Sequence, residues 1–364
     1  MKFVKMENLK TGMRLARPIY SKEGVFLFDR DTRLTQQNID GIKNFGLLGI
    51  YILEPAEPLP PMSDEDLEFE RYQTMAVASI QEELSRILTT KKQSKMQSIS
   101  DMVLRNYGRL NEKINFYQNL RSRDDFVHRH SLNVAILCAM ITHIMNIRRE
   151  EQRQIIYAAI THDIGKLNLK GDFVYSNDMT DEEMMQVYTA QLRSGDIVEE
   201  AFGDGVAIKR ICNQAVAAQM DAFKDEPTYS NIKMVPGAKI LLVANRYDEL
   251  TGMTLDGTAM SEVKAIRELY GNEKVYDPEV VAALVQSINI LFPGVSVELN
   301  TGEKALVLVE NPVNILRPTV LSFKDNSIID LSLPVNEDFE ILDVMKTLDN
   351  RCIMDTEALH RAGF

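Results

Sequence analysis

Between about residues 125 and 290 the sequence is an almost unbroken series of helix-length segments, and no other feature limits the fold as much. The segments read HSLNVAILCAMITHIM, EEQRQIIYAAITHDIG, DEEMMQVYTAQL, AIKRICNQAVAAQM, GAKILLVANRYDELT, MSEVKAIRELYG and DPEVVAALVQSINIL. Apolar runs of that length predict helices sharing one core. The second of them continues as YAAITHDIGKLNL over 157–169, so an apolar run ends in His162–Asp163. An adjacent His and Asp at a helix end is a common way to hold a metal, but such a site needs further ligands.

The flanks read differently. Residues 1–54 predict a small β-rich unit: RPIYSKEGVFLF has short apolar runs broken by Lys-Glu-Gly, as in a hairpin, and LTQQNIDGIKNFGLLGIYIL offers a short helix, a Gly break and a strand. The Pro-rich residues 55–62 form a linker. Over 63–124, Ser63 followed by Asp64, Glu65 and Asp66 marks a helix start. Phe69, Tyr72, Ala76, Ile80, Leu84 and Ile87 then share one face. KKQSK interrupts, and a second helix is expected through Met96, Ile99, Val103, Tyr107, Leu110, Ile114 and Tyr117. We read both as packing on the domain that follows, rather than as a coiled-coil stalk. Over 291–335 alternation returns, with turn signals at Asn300-Thr301-Gly302 and Asn311-Pro312, which predicts a small antiparallel β unit. Residues 336–364 are expected to form one helix and an unanchored tail. The fold class is thus mainly α, a helical bundle over 125–290 flanked by small β-rich N-terminal and C-terminal units.

Composition narrows the function. With 45% hydrophobic and 26% charged residues the chain can bury a core. A net charge of −12 disfavours nucleic acid polymers and anionic membranes, so an anionic ligand would need a locally basic site. Cys138, Cys212 and Cys352 form an odd set without metal-type spacing, which suits a reducing cytoplasm. The sequence starts without the apolar core of a signal peptide, and no run of about 18 apolar residues predicts a membrane span. The expected location is cytoplasmic.

The motifs HRHSLNVA (128–135), THDIGK (161–166) and ILLVANRYDELT (240–251) have the order and spacing of the HD-GYP family, which this chain resembles from roughly 65 to 290. The resemblance implies an HD-type helical domain whose active members hold a two- or three-metal centre, often iron or manganese. Those members hydrolyse cyclic di-GMP or a related cyclic dinucleotide. Paired metals about 3.5–4 Å apart suit that reaction, because one activates water and both neutralise charge. By the resemblance His130 and His162 are metal ligands, Asp163 is the bridging carboxylate, and Lys166 would meet a phosphate oxygen.

Other positions depart from the family pattern. Gln191 in QLRSG stands where a histidine is expected, and Asn245 stands where the family has aspartate. The stretch NQAVAAQMDAFKDEPTYS has neither the histidines nor the GYP of the family, and no histidine occurs between 163 and 359. The loop that shapes the ligand pocket in active relatives is therefore expected to be lost. His128 lies two residues from His130 and points away on a helix, at about 200°. His143 is also off that face, and His360 falls in the tail. Asp248 is read as a local hydrogen-bonding residue, and Lys166 as a solvated vestige of a clamp. The expected cofactor is none, or one weakly bound divalent ion of iron or manganese type.

Three functions compete. The leading one is a degenerate HD-GYP-like protein of cyclic dinucleotide signalling, without phosphodiesterase activity, that binds or regulates. The alternative is a metal-dependent phosphohydrolase with an altered, reduced metal site. The third is a structural homodimer whose β units recruit partners. If cyclic di-GMP or a related nucleotide binds, Arg129, Lys166, Lys239 and Arg246 are the nearby cations.

Overall fold

The computed structural model describes residues 2–21, 24–53, 62–118, 120–203, 205–222, 233–256 and 259–345. The N-terminal unit contains β1 (Lys2–Lys5), β2 (Arg14–Leu15), β3 (Ile19–Tyr20), β4 (Phe26–Phe28), α1 (Gln36–Lys43) and β5 (Gly49–Leu53). β5 lies between β1 and β2 in an antiparallel sheet, and β3 pairs with β4 as the expected hairpin. Leu15, Ile19, Ile39, Ile42, Ile50 and Ile52 make its separate small core.

α2 (Asp64–Thr90) starts where its capping residues predict: the Ser63 hydroxyl accepts from the Asp66 N–H, and the Asp66 carboxylate accepts from the Ser63 N–H. The KKQSK turn is held from inside. Buried Glu83 accepts from the N–H groups of Ser94 and Lys95, at 2.6 and 2.9 Å. α3 spans Met96–Asn106 and ends there instead of continuing to Tyr117. At Gly108 an added Cβ would press on the Leu104 carbonyl, and the chain beyond is recruited by another partner. Ile114 bridges to Ile288, with Ile114 N–H donating to Ser287 O and Asn289 N–H donating to Ile114 O. Both α2 and α3 pack into the main helical core, as expected.

That core is organised by α4 (Phe126–Ile144), which is buried on all sides from Val127 to Thr142. A helix apolar around its whole circumference belongs in the centre. Around it and in sequence come α5 (Arg149–Thr161), a 3-10 turn (Ile164–Asn168), α6 (Asp181–Phe202), α7 (Val206–Ala222), α8 (Pro236–Thr251), α9 (Glu262–Gly271) and α10 (Pro278–Ser287). α4 packs against α2, α5, α8 and α10. Among the described residues no helix is long and apolar enough to cross a membrane.

The C-terminal unit is an antiparallel five-stranded sheet of β6 (Ser296–Leu299), β7 (Lys304–Val309), β8 (Thr319–Ser322), β9 (Ile328–Asp330) and β10 (Ile341–Val344), in the order β10-β6-β7-β8-β9. β10 corrects the expected C-terminal helix. Ile341 is buried while Leu342 is exposed, a strand's alternation, and the segment pairs with the free edge of β6. Residues 346–364, with Cys352 and His360, lie outside the described residues, as does most of the 55–62 linker.

One close approach locks the His-Asp turn to α6. A Cβ on Gly165 would overlap the Ala190 carbonyl, and the Gly165 N–H donates to Ser194 Oγ at 2.9 Å. Gly165→Ala is expected to lower unfolding free energy by about 1–3 kcal/mol through overpacking. Urea denaturation of the full chain measures it.

Candidate metal centre

The site is assembled from helix ends and one helix interior. His130 sits on the second turn of α4, while His162 closes α5 and Asp163 opens the 3-10 turn. Asn245 projects from the middle of α8, and Gln191 from α6. All five are buried. His130 Nε2 lies 3.2 Å from His162 Nε2 and 3.4 Å from Asp163 Oδ2. His162 Nε2 is 3.6 Å from the same carboxylate oxygen. Asn245 Oδ1 is 2.9 Å from both imidazole nitrogens.

Outer partners determine what these atoms can do. His130 Nδ1 faces Asp248 Oδ2 at 2.6 Å, and His162 Nδ1 faces the Ala159 carbonyl at 2.8 Å. Both partners are acceptors, which assigns the ring proton to Nδ1 and leaves a lone pair on each Nε2. Asn245 Nδ2 donates to Glu249 Oε1 at 2.9 Å and to Gln219 Oε1 at 3.2 Å, which fixes Oδ1 toward the histidines. Two nitrogen and two oxygen acceptors therefore converge with no donor hydrogen among them. Such a cluster calls for a cation, either a proton or a metal ion.

The spacing fits a metal. Ligands about 2.1 Å from an ion and adjacent in its coordination shell are about 3.0–3.4 Å apart. The measured separations of 2.9–3.6 Å lie around that range. Burial lowers the His162 pKa, outweighing the Asp163 carboxylate beside it, so a proton there is disfavoured. For Asp163 burial alone would raise the carboxyl, but His162, Lys166 and His130 overcome it and hold the group well below the usual carboxylate range. His130, His162 and Asp163 thus come together as a group able to hold a metal ion.

Several expected roles change. Lys166 is not a solvated surface lysine: its Nζ pairs with Asp163 Oδ2 at 2.8 Å, and its side chain is 13% exposed. A lysine on a 3-10 turn three residues past a buried carboxylate folds back onto it. Asp248 is not a local hydrogen-bonding residue: its carboxylate accepts from Arg121, His130 and Asn133, all distant in sequence, and the His130 bond is the carboxylate–histidine arrangement that orients metal ligands. Gln191 Nε2 donates to Asp163 Oδ1 at 2.9 Å, while its buried Oε1 has no partner among the described residues. His128 lies outside the donor group, and His143 bonds Asn111.

A cavity of about 360 Å³ opens onto the centre, with His130, Asp163, Lys166 and Gln191 at its polar end and Met184, Val187, Leu250 and Met260 among its apolar walls. The pocket is thus built by these helices, whatever residues 223–230 add; these lie outside the described residues. Of the four cations named from sequence, only Lys166 and Arg246 line it. Arg129 is tied to Asp125 and Lys239 to Asp277, while Arg246 lines the cavity with its guanidinium already paired to Glu268 and Glu249. The sequence reading missed Arg121, Gln219 and Glu249, which also line the cavity. Nothing in the surrounding sequence marks Arg121. Glu249 follows Asp248 directly and faces Asn245 one turn back, a spacing that could have flagged it.

Residues 115–280 match the HD domain family. Residues 115–280 therefore form an HD domain, HD-GYP-like in the order of its motifs. Among solved structures, Bd1817, an HDG"Y"P protein from Bdellovibrio bacteriovorus, is similar at 13% sequence identity and a TM-score of 0.47, covering 78% of this chain and 97% of that chain. No curated protein matches the chain.

Burial alone would also raise Asp248, yet Arg121 and the His130 bond hold it below the usual range. A depressed carboxyl lends stability that is complete above its unfolded pKa, about 3.9, and is lost as pH falls through the folded value. Asp248→Asn is expected to cost about 3 kcal/mol from pH 8 to 5, because Arg121 is left as an uncompensated buried charge. The deficit should narrow as pH falls below about 4. Urea unfolding across that pH range reads both effects.

Proposed function

We propose that this protein is a regulatory HD-domain module that holds a single divalent ion of iron or manganese type and binds a ligand in the adjoining cavity without hydrolysing a cyclic dinucleotide. The convergence of four acceptor atoms from His130, His162, Asp163 and Asn245 carries the reading. Asp163 is its single carboxylate, and Asn245 adds a neutral oxygen, a weaker partner for a hard cation. Bound there, the ion would place positive charge at the polar end of the cavity.

This chain's own residues do the rest. Asp248 and the Ala159 carbonyl fix the two imidazole tautomers. Gln191 and Lys166 hold the Asp163 carboxylate from its two oxygens. Lys166 and Arg246 supply cations to an anionic group on a ligand, and the apolar wall suits a flat ring system. Cyclic di-GMP or a related nucleotide has both parts. Against hydrolysis stands the donor count. Among the described residues one metal-binding group of His, Cys, Asp and Glu forms, and Gln191 and Asn245 are neutral amides with hydrogen-bond partners of their own. Two-metal phosphodiester chemistry needs a second set.

Purified full-length protein loaded with Mn²⁺ should retain about one ion per chain, and His162→Ala and Asp163→Ala should lose it, by elemental analysis. Cyclic di-GMP should stay intact through prolonged incubation. Turnover of about 1 s⁻¹ or faster that vanishes in both variants would favour the reduced-site phosphohydrolase instead. Calorimetric titration with cyclic di-GMP tests the ligand, and Lys166→Ala should weaken binding about tenfold. Failure to bind would remove the nucleotide from the reading and leave the ion.

A further inference from the structure

The metal ligand His130 is connected to the N-terminal β unit by a short series of buried contacts. Residues 117–118 and 120–122 lie between the two units and touch both, as a strap. Leu120 packs on the N-terminal core, and the next residue, Arg121, turns the other way into the helical domain, where it is 1% exposed. Leu47 bridges to Ser122, and the Leu48 N–H donates to the Arg121 carbonyl at 2.8 Å. The same Arg121 donates from Nη2 to Asp248 Oδ2 at 2.6 Å, and that oxygen receives the His130 Nδ1 proton, also at 2.6 Å. Backbone of the β unit and metal ligand are thus joined through one residue and one carboxylate.

The neighbourhood leaves the guanidinium little freedom. A Cβ on Gly252 would come within 2.7 Å of Nη2 and 2.9 Å of Nη1, so only glycine leaves room there. Gln118 Oε1 accepts from Arg121 Nη2 and from Asn133 Nδ2, and Asn133 also donates to Asp248 Oδ1. The other end of the strap is gripped separately. Arg17 of the β unit lies over the rings of Tyr51 and Tyr117, at 4.9 and 4.1 Å, and reaches the Gln118 carbonyl and Glu70.

We propose that Arg121 is a positioning residue through which the N-terminal β unit sets the aim of His130, so that seating of that unit on residues 117–118 and 120–122 governs affinity for the ion. The proposal rests on the one-ion reading above. Its physical basis is that partners behind a ligating histidine fix ring orientation, and their loss commonly weakens metal binding about 10–100-fold.

The test uses the full chain and two readouts. One is Mn²⁺ affinity by competition with a fluorescent chelator. The other needs no metal: the imidazole ¹⁵N resonances of His130 in metal-free protein, assigned by their loss in His130→Gln. Arg121→Gln should weaken Mn²⁺ binding about 10–100-fold and shift those resonances. Arg121→Lys should fall between it and the unaltered protein. Arg17→Ala, remote from the ion, should weaken binding about 3-fold or more and shift the same resonances. Asp31→Ala breaks the exposed Arg14–Asp31 pair of the same unit and should change neither readout. Circular dichroism confirms folding; if Arg121→Gln does not fold, Arg121→Lys and Arg17→Ala carry the test. Unchanged affinity and resonances in folded Arg121→Gln or Arg121→Lys overturn the positioning role. Unchanged readouts in Arg17→Ala overturn the coupling to the β unit. If the unaltered protein takes up no Mn²⁺, the one-ion reading fails, and the resonances alone still decide whether Arg121 and the β unit hold His130.

Discussion

A carboxylate with no solvent exposure, Asp248, is the charge around which the helical domain is arranged. Burying it without partners would be prohibitive, so each of its oxygens must be met. Oδ2 takes Arg121 and His130, and Oδ1 takes Asn133. Those donors come from the strap and from two successive turns on one face of α4, while Asp248 belongs to α8. Satisfying one charge therefore sets the mutual placement of three segments. Because His130 is among the donors, the requirement for stability and the geometry of the site are met by the same bonds.

Much of this was legible from local pattern. The seven helix-length segments became α4 to α10, the Ser63 cap began α2, and the Asn300-Thr301-Gly302 signal turned β6 into β7. His130, His162 and Asp163 could be placed together because the His-Asp pair and HRHS sit on helices whose apolar faces leave few ways to pack. What escaped depended on partners distant in sequence. Leu110, Ile114 and Tyr117 keep a helical spacing, but the strand-like contact of Ile114 with Ile288 is worth more to that backbone than another helical turn. The sequence around β10 is short and weakly patterned, and becomes a strand only because β6 has an open edge. Lys166 and Arg121 look like ordinary surface cations until their buried carboxylates, Asp163 and Asp248, are in place.

The amides at 191 and 245 give the site hydrogen-bonding groups without charge. Asn245 still aims an oxygen at both imidazoles, and its amide nitrogen is held by Glu249 and Gln219. Gln191 donates to Asp163 and leaves a buried acceptor with no partner among the described residues. Neither amide brings a charge to the site, and both are buried in the packed helical core. Packing responds to volume and hydrogen bonds, whereas ion affinity responds to net ligand charge.

The remaining charge is itself divided. Asp163 Oδ2 faces the donor cluster and also accepts from Lys166 Nζ at 2.8 Å. A carboxylate oxygen has two lone pairs, so it can meet both directions geometrically. Electrostatically it cannot serve both fully, since one negative charge is shared between an ammonium and any ion on the other side. Lys166 stabilises the cluster when no ion is present, and opposes an ion through like-charge repulsion at short range. A dedicated carboxylate in place of Asn245 would have offset that repulsion. With the neutral oxygen, the same lysine that keeps the buried site tolerable without an ion also limits how tightly an ion can be held. On the one-ion reading proposed above, the balance favours a site that loads and unloads over one that retains its ion permanently.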